Sequence, residues 1–426
     1  MPTPLIDSLA ATEPLSRIFS DAGVLQAMLS FEAALARAEA RADVIPAAAA
    51  AVIAEAARAE GFDTAELSRQ ALRAGTLAIP LVRMLTARVR AKDANAAGYV
   101  HWGATSQDVM DTALVLLLKQ CRTVLAADHQ RVIHGLRRLS DEHSNAVMLG
   151  RTLLQPAPPV TFGLKAAGWF AAIRRGWARV ASRFDEALYL QFGGASGTLA
   201  ALADRGIAVS ETLGEELGLK CPDAPWHSHR DRLAALMAAL SIYTASLGKM
   251  ALDVALLMQY EVGEAAESGG DGRGGSSTMP HKRNPTACML AIAASKRAPG
   301  MLANFVAGMV QEHERAAGGW QAEWTAVQGI VQAAGVALES MAEVAEGLTV
   351  DPARMRANIE ATRGAVFAER AMLMLAPAMG RDAAHRAVEE SVRNTGSPPD
   401  LPGLRTPEEY LGSAEAFRRR LLEGED

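Results

Sequence analysis

The chain is short of aromatic residues, which make up 5% of its 426 positions, and its formal net charge is only −5. A near-balanced charge excludes nucleic acid or an anionic membrane as a bulk electrostatic partner. An anionic ligand therefore has to be met by a local group of lysines and arginines. The three cysteines, Cys121, Cys221 and Cys288, are far apart and form no CxxC pair. They read as small buried residues and not as a disulfide frame. The opening residues, MPTPLIDSLAATEPLSRIF, lack a basic stretch followed by an apolar core, so no signal peptide is read. No run of about twenty residues is both uncharged and rich in large apolar side chains, so no membrane span is expected, and the expected location is the cytoplasm. A metal is not expected either. His227 and His229 form an HxH pair, with His281 and His313 elsewhere, but there is no HExxH and no cysteine pair. Nor is there a phosphate loop or a dinucleotide fingerprint, so no organic cofactor is implied.

Alanine, by contrast, dominates whole stretches such as residues 46–59. It has the highest helix propensity and loses no side-chain entropy on folding, so the bias favours helices over strands. From residue 230 to 260 there is no proline and a single glycine, Gly248. Large side chains recur there at Leu233, Leu236, Leu240, Tyr243, Leu247, Met250, Val254 and Leu257, in steps of three and four. That spacing predicts a helix of about 45 Å. Residues 111–140, 160–190 and 325–348 predict three more. Helices this long, apolar on more than one face, indicate a bundle packed against partner subunits. Residues 1–104 form a first zone of shorter helical runs. In it Asp21 is placed to cap the helix carrying Leu25, Met28 and Leu29, Pro46 suits a first turn, and Gly61 and Gly75 end later runs. Residues 105–349 hold the bundle, and Pro352 opens a third zone, 350–426, of shorter helices. The expected class is all-α, in three domains.

Between Gly263 and Pro285 the helical pattern stops. Glycine stands at 263, 269, 270, 272, 274 and 275, followed by SSTMPHKRNP. Glycine-rich loops often do no more than link helices, but a linker does not need Met279, Pro280, Lys282, Asn284 and Pro285 in fixed order. The pattern S-S-x-M-P-x-K-x-N-P resembles the signature of the fumarase/aspartase superfamily with every specified position present. The chain is identified as a member on that ground, and the similarity runs from about residue 15 to 411. The resemblance implies an enzyme that adds to or eliminates across a carbon–carbon bond beside a carboxylate. It also implies a three-domain all-α fold, a homotetramer built on the central helices, and active sites shared between subunits.

The residue types suit that chemistry. Proton removal beside a carboxylate puts two negative charges on one group, an aci-carboxylate, which demands a fixed cation and fixed hydrogen-bond donors. Lys282 supplies the charge, Asn284 a neutral donor and the glycine-rich backbone several N–H groups. By the resemblance the base is Ser276, with Ser277 the second candidate, and the loop closes over substrate as a lid. Met279 and His281, inside the same signature, are candidates for substrate contact.

Two further segments look like the superfamily's other motifs. In residues 99–112, YVHWGATSQDVMDT, Thr105 and Ser106 match carboxylate-binding positions directly before a long helix, where hydroxyls and N–H groups form an anion site. Taken alone, TSQD is also a helix cap. In residues 150–163, GRTLLQPAPPVTFG, the sequence departs from the adenylosuccinate and argininosuccinate lyase branches. Those branches carry there a histidine that protonates a leaving nitrogen; this chain has Leu153 and Pro156, and Gln155 remains to orient a carboxylate. A carboxylate leaving group needs no such proton. The segments HWGATSQD, LQFGGASGTLAAL, PWHSHRDR and QEHERAAGGWQAEW resemble the bacterial branch that closes 3-carboxymuconate to a lactone in aromatic-acid catabolism, the β-ketoadipate route. The implied substrate is a small polycarboxylate. Its further cations are sought at Arg17 and Arg315, with Trp102 as a pocket wall or a core residue. Arg230 and Arg232 are either ligands or an ion-pair cluster at a helix start. The alternatives are a cycloisomerase of the 3-sulfo analogue, an adenylosuccinate lyase-like β-elimination, and an inactive structural homologue of the kind found among lens crystallins.

Overall fold

Alanine-rich, glycine-poor segments fold as the expected helices. The computed structural model describes residues 5–268, 274–275, 278–279 and 282–424. Among the described residues, five α-helices precede the first motif: α1 (Glu13–Ile18), α2 (Asp21–Arg41), α3 (Ala47–Ala56), α4 (Thr64–Ala74) and α5 (Ala78–Arg90). Then come α6 (Ser106–Glu142), the hairpin strands β1 (Val147–Thr152) and β2 (Gln155–Thr161), α7 (Phe162–Ala187), α8 (Gly206–Leu217) and α9 (Asp231–Leu257). After the short β3 (Ala265–Ala266) follow α10 (Thr286–Ala307), α11 (Gly319–Gly347), β4 (Thr349–Val350), α12 (Pro352–Ala361), α13 (Ala368–Met379), α14 (Arg381–Thr395) and α15 (Ala414–Glu423). The class is all-α, as expected.

The chain forms two compact units. Met1–Ala127, Ala178–Ala245 and Ala294–Val336 make up the first; Asp128–Trp177, Ser246–Ala293 and Ala337–Asp426 make up the second. In the first, α2 packs against α3 and α8 and buries Met28, Leu29, Phe31 and Leu35. Asp21 was expected to cap α2. Ser20 does so instead, its hydroxyl accepting from Gly23 N at 3.1 Å, and Asp21 takes the first helical position, where its charge favours the helix dipole. Pro46 stands just outside α3 as its N-cap, and Gly75 ends α4 in the left-handed conformation.

Every one of the eight large residues that predicted α9 is buried, from Leu233 to Leu257. By length and composition α9 is apolar enough to cross a membrane, but 67% of its apolar window is buried inside the protein, as in a bundle core. In the second unit a cluster of Val147, Leu149, Ile359, Val366, Phe367 and Leu404 binds the hairpin to the C-terminal helices. There α15 docks through Arg418, which donates to Asp141 Oδ1 at 2.7 Å and Ser140 Oγ at 3.3 Å.

The helix expected over residues 160–190 runs from Phe162 to Ala187, and residues 160–161 end an antiparallel hairpin that precedes it. The reason is local. Pro156, Pro158 and Pro159 exclude a helix interior, and in a two-stranded ribbon they need donate nothing to a further neighbour.

One element of the first unit is costly. Glu39 on α2 is fully buried, and neither carboxyl oxygen has a hydrogen-bond partner among the described residues. Burial first, and the Glu32 carboxylate second, push it up to about 9 from the ordinary 4.5. Between those values the folded chain holds a proton that the unfolded chain has lost, so stability falls as pH rises through this window. Glu39→Met is therefore expected to raise stability by roughly 1–3 kcal/mol at pH 8, with the gain shrinking towards pH 4. Urea denaturation at the two pH values measures this; an equal effect at both would contradict it.

Candidate active site

The first motif is built around the N-terminus of α6, in the first unit. Thr105 precedes the helix, and Asp108, three residues on, reaches back to accept from Thr105 N at 3.0 Å. This is the return half of a capping box. The same carboxylate does more than cap. It accepts from Gly193 N at 3.0 Å, Gly194 N at 2.9 Å and Gln191 Nε2 at 3.4 Å, and it meets His227 Nε2 at 2.7 Å. Asp108 is fully buried, so these contacts stand in for its lost hydration. Gly193 is required for the approach: a Cβ there would lie 2.8 Å from His227 Cε1 and 2.7 Å from Pro225.

Arg315 closes the knot. It donates to Thr105 Oγ1 at 2.6 Å and to the carbonyls of Gly194 and Ala195 at 3.2 and 2.9 Å. Thus two of the sequence candidates, Thr105 and Arg315, are in direct contact. Ser106, also half-buried, opens the helix. Trp102 is 43% exposed, its ring 6.0 Å from Tyr99, so it is not an ordinary core tryptophan. Arg17 stands apart on α1, exposed and paired with Glu13 at 2.5 Å.

Behind the cap lies a second buried network. Arg230 forks onto Asp111 at 2.7 and 3.0 Å and onto Glu323 at 2.8 and 3.0 Å, with its guanidinium 4.7 Å above the Trp226 ring. Trp320 Nε1 donates to Asp111 at 3.0 Å and Gln311 Nε2 to Glu323 at 2.8 Å. Arg230 is wholly engaged, so of its two readings the structure supports the ion-pair cluster; Arg232 lies over the Tyr189 ring at 4.3 Å. His227 serves Asp108 while His229 is exposed, and no group of three metal-ligating side chains occurs among the described residues.

His101, in a left-handed backbone conformation with φ of 60°, meets the buried Glu32 carboxylate at 2.7 Å through Nδ1. Burial pulls its pKa down, but the charge and hydrogen bond of Glu32, with Asp108 behind, outweigh this and raise it above the ordinary value.

The other two motifs lie in the second unit. Ser276, Ser277, Pro280 and His281 fall outside the described residues. Around them the signature folds back on itself: Asn284 N donates to Gly274 O at 2.8 Å, and Lys282 N to Met279 O at 3.0 Å. Gly274 has φ of 66°, and a Cβ on it would sit 2.8 Å from Asn284 O, so glycine is needed there twice over. Lys282 is exposed and Met279 is 41% exposed. The loop's foot is held by Glu267, which caps α10 by accepting from Ala287 N at 3.1 Å and Cys288 N at 2.9 Å.

Three residues earlier, Glu264 is buried under a two-pronged hydrogen bond from Arg151 at 2.7 and 2.9 Å and one from Asn358 at 2.7 Å. Arg151 belongs to β1, so this pair ties the hairpin to the base of the signature. At the hairpin's tip Leu153 and Leu154 adopt φ of 50° and 64° and are 97% and 78% exposed. Gln155, opposite Thr152, and Pro156, opposite Arg151, are exposed too.

Sequence reading passed over Asp108, Glu264 and Glu267. Only Asp108 had a visible signal, the T-x-x-D spacing of a capping box.

The chain belongs to the lyase family whose model matches residues 9–300, and its fold is that of the fumarase/aspartase superfamily. It is 46% identical to 3-carboxy-cis,cis-muconate cycloisomerase of Bradyrhizobium diazoefficiens, over 99% of this chain and 98% of that one. Against the enzyme of the same name from Pseudomonas aeruginosa the identity is 45%, over 98% and 95% of the two chains. The crystal structure of 3-carboxy-cis,cis-muconate lactonizing enzyme from Pseudomonas putida superposes with a TM-score of 0.92 at 41% identity, covering 99% of this chain and 98% of that one.

If Asp108 holds the first motif together, Asp108→Ala should cost at least roughly 1–3 kcal/mol, because buried donors are left without an acceptor. Arg17→Ala, on the surface, should leave stability nearly unchanged. Chemical denaturation of the two variants tests this; a small effect at Asp108 would contradict the assignment.

Proposed function

We propose that this protein closes 3-carboxy-cis,cis-muconate to 4-carboxymuconolactone, as a cofactor-free cycloisomerase of aromatic-acid catabolism. The observation that carries the reading is the hairpin of the second motif. Its tip and first paired positions present Leu153, Leu154, Gln155 and Pro156, so the strand end offers no group able to protonate a leaving amine. A carboxylate nucleophile, which departs as a stable anion in the reverse direction, makes no such demand. Near full-length similarity to proteins named for this activity supports the same reading.

The reaction is internal to the substrate. One carboxylate attacks the far alkene carbon, a C–O bond closes a five-membered ring, and the displaced π pair moves onto the carbon beside another carboxylate. Lys282, Asn284 and N–H groups of the signature hold the resulting aci-carboxylate, and Ser276 delivers the proton to that carbon. Thr105, Ser106 and Arg315 bind a second carboxylate at the start of α6, where the helix dipole assists. Met279, Trp102, Gln155, His281 and Arg17 remain candidate contacts. Holding nucleophile and alkene in a reactive pose supplies roughly 7–11 kcal/mol of the acceleration.

The assembly proposed is a cytoplasmic homotetramer with sites shared between subunits, organised along the chain as residues 1–104, 105–349 and 350–426. Leu252 and Leu256 of α9 and Met289 of α10 are exposed, which supports apolar contacts with other copies.

Ultraviolet assay of the purified protein with 3-carboxymuconate, its 3-sulfo analogue and adenylosuccinate tests the proposal. Turnover of the first is expected, with Ser276→Ala lowering it at least a hundredfold. No turnover of 3-carboxymuconate would contradict the function, and near wild-type turnover by the variant would remove Ser276 from its role.

A further inference from the structure

The second unit contains a cation with no direct partner among the described residues. Lys165 lies in the first turn of α7, four residues past the end of β2. It is half-buried, yet its amine has no hydrogen-bond or ion-pair partner among the described residues. Two carboxylates act on it electrostatically, Asp253 of α9 and Glu264 at the foot of the signature, alongside two cations, Lys249 and Arg151. Both carboxylates are already taken. Asp253 is bound by Lys249 and accepts from Trp169 Nε1 at 2.7 Å. Glu264 is held by both prongs of Arg151 and by Asn358.

The cluster of three cations and two anions therefore keeps one positive charge in excess, and that excess sits on the one member without a partner. Burial above all, together with the charges of Lys249 and Arg151, lowers the Lys165 pKa below the ordinary lysine value despite Asp253 and Glu264. A half-buried, unpaired ammonium lowers stability, and such groups concentrate where an external ligand completes them. The position fits. Through Arg151 and Glu264 the cluster borders both motifs of this unit, the hairpin and the signature that supplies Lys282.

We propose that Lys165 is a further substrate ligand, the second cation in this unit that binds a carboxylate of the polycarboxylate substrate. The inference rests on the proposed function for the identity of that substrate, but its test does not depend on turnover. Propane-1,2,3-tricarboxylate serves as an unreactive probe, its binding to the intact protein measured by calorimetry, and melting temperatures are recorded for the same samples. Lys165→Met is expected to weaken binding about 10- to 100-fold, the range for losing a hydrogen bond to a charged group. Lys165→Arg, which keeps the charge, should recover part of the loss. Because the amine has no partner among the described residues, Lys165→Met should melt at or above the wild-type temperature. A structural role would lower it.

Binding of the tricarboxylate by Lys165→Met within twofold of wild type would overturn the inference. So would a fall in melting temperature shared by Lys165→Met and Lys165→Gln. Wild-type turnover of 3-carboxymuconate, assayed alongside, judges the proposed function separately: its absence counts against that reading, while the ratio of binding constants still judges Lys165.

Discussion

Burying a carboxylate is costly unless its lone pairs are engaged, and Asp108 meets that demand by drawing three distant parts of the chain together. Its oxygens take the backbone of Thr105, the amides of Gly193 and Gly194, and the ring of His227. Each contact fixes a group that the proposed chemistry uses. The cap sets where α6 begins and hence where its unpaired N–H groups point. The glycine amides fix the loop whose carbonyls hold Arg315, and Arg315 in turn holds the Thr105 hydroxyl. Without the Asp108 charge these groups lose their common reference. The Arg230 network with Asp111 and Glu323 lies behind it and gives the first turns of α6 a rigid backing.

The second unit repeats the device with different residues. Glu264 and Glu267 flank Ala265 and Ala266, and each carboxylate holds a neighbouring element in place. Glu264 anchors the hairpin through Arg151, and Glu267 anchors α10 through its first free amides. The signature between them is thereby pinned at its base while Lys282 stays exposed. Much of the electrostatic preorganisation in both units is thus the work of acids, although the ligand is itself an anion.

Part of this was legible from the sequence, for physical reasons. The apolar spacing of α9 depends on neighbours three and four residues away, so it predicted the buried face residue by residue. The signature, the first motif and the superfamily fold were carried by contiguous residues. What escaped depends on partners far along the chain. The T-x-x-D spacing marks Asp108 as a cap, but nothing local says that it also holds Gly193, 85 residues away. Arg230 could not be told from a ligand until Asp111 and Glu323 were seen on either side of it. The hairpin was missed because residues 150–163 were read for their resemblance and their missing histidine and not for strand pairing, and the leucines at its tip occupy a left-handed turn that leucine rarely takes. Lys165 gave no signal, since what distinguishes it is the absence of a partner among the described residues.

In the proposed reaction, fixed donors hold a carbanion beside a carboxylate while one fixed group carries a single proton to it. The most direct test is to run the conversion of 3-carboxymuconate in deuterium oxide and examine the lactone by proton NMR. A single deuterium is expected at the methylene beside the free carboxylate, in one stereochemical position. A mixture of both positions would mean that solvent protonates an unprotected carbanion, and deuterium elsewhere would mean a different bond-making step; either would contradict the account.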